Sequence, residues 1–170
     1  MKQSRFFVIF ALLAVAQILL NNYLNLSQWV VVTLLPAMIM CIPQRINSVL
    51  TMLIAFGVSL LVDFLSTGVM GLTAVALVPV ALLRNPLLHL VFGTEIFERQ
   101  ENISIGRHGI LKIALVQALA LLVYLIIYII ADGAGTRPVW FNLVRLLLST
   151  IVGTAVSILT FVILSSEDSR

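Results

Sequence analysis

The chain has 170 residues, of which 61% are apolar and only 10% charged, against about 25% charged in an ordinary soluble domain. Its mean hydropathy of +1.16 and its successive long apolar runs define a polytopic membrane protein, all-α and a single domain over 1–170, with no room for a soluble domain beside it. The formal net charge of +3 is accounted for by membrane topology, and nucleic-acid binding gains no support from it.

Interruptions in the apolar pattern divide the chain into six expected transmembrane helices, over 6–20, 26–42, 48–65, 69–83, 110–131 and 140–164. The first ends at Asn21-Asn22. Lys2 and Arg5 with Ala14-Val15-Ala16 resemble a secretory leader, but the run continues through Ile18, Leu19 and Leu20, so a retained membrane helix is expected. In the second span Trp29 is an expected interfacial anchor and Pro36 an expected kink, with Pro43-Gln44 closing it. The fourth contains Pro79. Segment 84–109 then reads as a connection on the inner membrane surface: Asn85 caps a helix with Pro86 at its first position, and Thr94 caps a second short helix carrying Ile96 and Phe97. It would serve as an anchor or as the contact for a cytoplasmic partner.

Basic residues set the orientation. With the N-terminus inside, Lys2, Arg5, Arg45, Arg84, Arg99, Arg107, Lys112 and Arg170 are cytoplasmic, leaving only Arg137 and Arg145 outside. Both termini are therefore expected in the cytoplasm.

Signatures of chemistry are missing from the sequence. There is no phosphate-binding glycine loop, His-Glu-x-x-His or Gly-x-Ser-x-Gly pattern. An intramembrane aspartyl dyad needs two carboxylates at one site. Asp63 is the only acidic residue well inside a span, Asp132 being at a helix end. His89 and His108 fall in the connection, and the one cysteine, Cys41, has no neighbouring ligand residues. A protein with no catalytic, cofactor or metal site is expected.

What remains is intramembrane polarity. Gln17 and Gln117 are expected to hydrogen-bond between helices or to touch a ligand. Ser149, Gly153 and Ser157 recur every fourth residue, a ladder that admits a close helix, either within the domain or from a partner. Asp63 lies about 23 Å along the third helix from Ser48 at 1.5 Å per residue. Two offsets for its charge are available: backbone N–H groups of the turn at 66–71, and Arg145, which lies at nearly the same depth on the sixth helix. An Asp63–Arg145 pair is compatible with a structural turn role or with contact to a partner or ligand.

The block "GVSLLVDFLSTGVMGLTAVAL", residues 57–77, resembles the rod shape-determining MreD family. There a glycine-containing span ends in an aspartate, and a short turn with two glycines leads into the next helix; Gly57, Asp63, Gly68 and Gly71 match. "AQILLNNYLNLSQW" after a basic N-terminus, Pro36, the six-span layout and the size extend the likeness over nearly the whole chain. The segment after Ser27 departs from it, lacking the proline and tyrosine often found early in the second helix of relatives. The resemblance implies a non-enzymatic inner-membrane subunit of the cell-elongation machinery. Such a subunit binds the bitopic protein MreC and helps couple MreB filaments to RodA and its transpeptidase partner. It also implies a fold similar to the six-helix substrate-binding S-components of energy-coupling-factor vitamin transporters. A small-molecule-binding transporter subunit is the alternative expectation.

Overall fold

A computed structural model describes residues 2–23, 30–43, 46–67, 69–93, 109–133 and 138–165, with backbone alone at 2–7, 67 and 164–165. Six α-helices lie in this range: α1 (Lys2–Tyr23), α2 (Leu35–Met40), α3 (Ser48–Val62), α4 (Leu72–Phe92), α5 (Ile110–Gly133) and α6 (Val139–Ser165). One π-helical turn, Asp63–Thr67, continues α3. The all-α membrane architecture read from composition is the architecture observed. Among the described residues, four stretches are long and apolar enough to cross a bilayer: Ser48–Ser66, Leu72–Phe92, Ile110–Gly133 and Val139–Ile163, with Val8–Tyr23 a shorter apolar helix.

The second expected span is not a continuous helix. Residues 30–33 have no regular structure and only Leu35–Met40 is helical. The reason is local. Val30, Val31, Val32 and Thr33 are four successive β-branched residues, stiff at χ1 and better suited to extended backbone. Pro36 sits in the first turn of α2, where its missing N–H costs nothing, whereas a helix prolonged upstream would set its ring against the Val32 carbonyl.

The shortest helix is also the most enclosed. All six residues of α2 are buried, and it touches every other helix of the described fold. Around it α4 packs between α3 and α5, α5 packs on α6, and α1 lies against α3, α6 and the π turn. Leu53, Phe64, Leu111, Trp140 and Leu159 face outward and are exposed, as side chains in contact with lipid should be.

The fourth helix also differs from expectation. It does not stop at residue 83 but runs through Asn85 and Pro86 to Phe92, where Gly93 at φ 77° ends it. Leu77, Val80, Ala81, Arg84 and Leu88 keep one face buried at helical spacing, so tertiary packing outweighs the local stop signals. Asn85 caps no new helix; its Nδ2 donates to Ser48 Oγ at 2.9 Å, tying α4 to the start of α3. Of the expected surface segment, 94–108 lies outside the described residues, as do Trp29, Gly68, Arg137 and His108.

Candidate functional site

Unwound backbone inside a membrane domain must find its hydrogen bonds in the protein. Here two side chains supply them. Gln17 on α1 is 2% exposed; its Oε1 accepts from the Leu34 N–H at 2.7 Å. Its Nε2 donates to Asn21 Oδ1 at 2.8 Å and reaches the Val32 carbonyl at 3.4 Å. That carbonyl is the one Pro36 would leave bare. From the opposite side Ser149 Oγ on α6 accepts from the Val31 N–H at 2.8 Å. Thr33 and Thr73 both hydrogen-bond with the buried Tyr124 of α5, whose ring stacks on Tyr128 at 5.6 Å. Polar groups from α1, α4, α5 and α6 thus converge on residues 31–34.

Asp63 is fully buried at the end of α3. Its Oδ2 accepts from the Gly71 and Thr73 N–H groups, both at 3.0 Å. Gly71, at φ 92°, is the N-cap of α4 and has no side chain with which to cap it. An L-residue with a side chain would be strained there. Asp63 supplies the missing cap from the preceding helix, placing a carboxylate at the positive end of α4. At the same end of the bundle α1 closes on the π turn: Asn21 donates to Ser66 Oγ and Asn22 to the Leu65 carbonyl, each at 3.3 Å. Of the two expected offsets for Asp63, the turn N–H groups are observed.

The expected partnership with Arg145 is not. Arg145 Nη1 binds Asp132 Oδ2 at 2.7 Å, joining the end of α5 to the start of α6. Asp132 lies thirteen residues back along the same hairpin, within easy reach of the guanidinium, while the Asp63 carboxylate is taken up by α4.

Nor is the small-residue ladder a seat for a foreign helix. Ser149 and Ser157 are fully buried. Gly153 is pressed against α5 so closely that an added Cβ would lie 2.5 Å from Leu121 Cδ2. The ladder is consumed by packing of α6 on α5 and on residue 31.

Arg84, read as cytoplasmic from sequence, is 1% exposed inside the bundle. Its Nη2 donates to the Ile42 carbonyl just beyond α2, where a cation complements the negative helix end. Gln117 is buried on α5. Among the described residues no group of three or more His, Cys, Asp or Glu side chains could hold a metal ion. Most of the polar set satisfies backbone, fixes helix ends or ties helices to one another. Sequence reasoning singled out Gln17, Asp63 and Ser149 but missed Thr33, Thr73, Tyr124 and the interior role of Arg84. The β-branched run before Pro36 was the signal that could have located the first of these. Comparison of the chain with family models, with curated proteins and with solved structures finds no match.

Proposed function

We propose that this chain is a non-enzymatic subunit of the bacterial cell-elongation complex, of the MreD kind. In this reading it lies in the cytoplasmic membrane with both termini inside and binds an MreC-like bitopic protein. It helps couple MreB filaments to RodA and its transpeptidase partner. The observation that supports it best is the block 57–77. Its aspartate caps the following helix across a turn whose second glycine is left-handed, so Asp63 and Gly71, two of the residues that carry the resemblance, form one structural device. A centre filled by Leu35, Met38, Ile39 and Met40, each at most 1% exposed, suits a scaffold. Depletion in the source cell tests it: rods should round up, and unchanged rod-shaped growth would refute the assignment.

One observation favours the second reading, a small-molecule-binding subunit of a transporter. Discontinuous membrane segments often line substrate sites, and residues 30–40 form such a segment. Against it, the polar groups there are engaged with the chain's own backbone. Genomic neighbours separate the two: genes for MreB and MreC, or one for a transport ATPase.

A further inference from the structure

Helices α5 and α6 form an antiparallel pair whose register is fixed at three levels. Asp132 binds Arg145, Gly133 faces Asn142 with an added Cβ 3.8 Å from its Nδ2, and Leu121 packs on Gly153. Four residues further from the Asp132 end on each helix, the same register sets Gln117 opposite Ser157. Both are buried, at 1% and 0% exposure. Gln117 Oε1 and Ser157 Oγ have no hydrogen-bond partner.

Several helical hydroxyls elsewhere in the bundle solve this problem within their own helix. Ser59 donates to the Ala55 carbonyl, Thr150 to Leu146 and Thr160 to Val156. Ser157 does not, so the Gly153 carbonyl one turn earlier on the same helix keeps a lone pair beyond its helical bond. An orphaned hydroxyl, an orphaned amide oxygen and a carbonyl with spare capacity therefore lie at one level between two helices. Buried waters are found where about three such groups converge, at roughly one per 27 residues.

We propose that α5 and α6 hold one ordered water between Gln117 and Ser157. It accepts the Ser157 O–H and donates to Gln117 Oε1 and to the Gly153 carbonyl, so donors and acceptors balance. The site pins the helix pair on the side of Gly153 away from the Asp132–Arg145 bridge.

A structure in lipid at a resolution that shows waters should place a density peak within hydrogen-bonding distance of Gln117 Oε1 and Ser157 Oγ. A direct contact between those two atoms, or a Ser157 hydroxyl turned onto the Gly153 carbonyl, would overturn the site. Thermal unfolding in mild detergent gives a second readout with variants of nearly unchanged shape. Ser157→Ala and Gln117→Met should each lower the midpoint by several degrees, and the double variant by no more than the larger single loss. A neutral or raised midpoint for Ser157→Ala would mean that a bare hydroxyl had been removed and would sink the proposal; so would additive losses.

Discussion

At Asp63 the carboxylate holds two N–H groups of the next helix at 3.0 Å and is fully buried. An Asp at the centre of a membrane helix costs about 2.5 to 3.5 kcal/mol on insertion scales, and hydrogen bonds to a charged group return about 1.5 to 3 kcal/mol each. The balance rests on those bonds. Asp63→Ala should therefore destabilise strongly, by about 1 to 3 kcal/mol for each N–H left bare. Asp63→Asn, which keeps one acceptor oxygen, should cost less; equal losses would show that the charge on α4, rather than the acceptor, carries the effect. Asp63 binds the start of α4 while Arg145 binds Asp132, so a double-mutant cycle of Asp63→Asn with Arg145→Gln should be additive within about 0.5 kcal/mol. Asp132→Asn with Arg145→Gln should couple, because either single change already removes their shared ion pair. Coupling in the first cycle would restore the pair expected from depth alone. That expectation failed because two carboxylates lie within range of one depth, and helix rise says nothing about which side of the bundle each faces.

Element by element, legibility depended on how much of the signal is local. Helices α3, α5 and α6 lie within two residues of their expected ends, counting the π turn with α3, because a lipid-facing helix shows itself in hydropathy. The second segment escaped because a strip of chain buried in protein is as apolar as a spanning helix. Only Val30 to Thr33 ahead of Pro36 betray the unwinding. The fourth helix escaped because Arg84, Asn85 and Pro86 read as a stop, while their partners, the Ile42 carbonyl and Ser48, are distant in sequence. Gln17→Leu leaves the Leu34 N–H without its acceptor and should cost about 1 to 3 kcal/mol. It should also speed amide exchange at Val31 and Leu34; unchanged exchange would mean that Gln17 does not hold the segment. Gly153→Ala drives a methyl into Leu121 and should cost about 1 to 3 kcal/mol by overpacking. Leu121→Ala in the same chain should recover part of the loss. If Gly153→Ala instead leaves stability intact and abolishes partner recovery, the ladder is an external seat after all.

For the whole molecule, the structure is a ring of apolar helices closed around a short internal one, α2, whose flanking backbone is held by Gln17, Ser149 and Arg84. An interior committed to its own chain suits a protein that works by its outer faces. Composition made the membrane class legible; which face meets which partner was not, since lipid and a partner's helix select the same side chains. Charge asymmetry predicts that labelling from the periplasm reaches the 132–137 turn and not 99–107; the reverse pattern would invert the bundle. Affinity purification of the tagged full chain from its own membranes in mild detergent decides whether the chain is an elongation-complex subunit. An MreC-like bitopic protein should be recovered with it; recovery of a transport ATPase module in its place would refute the assignment.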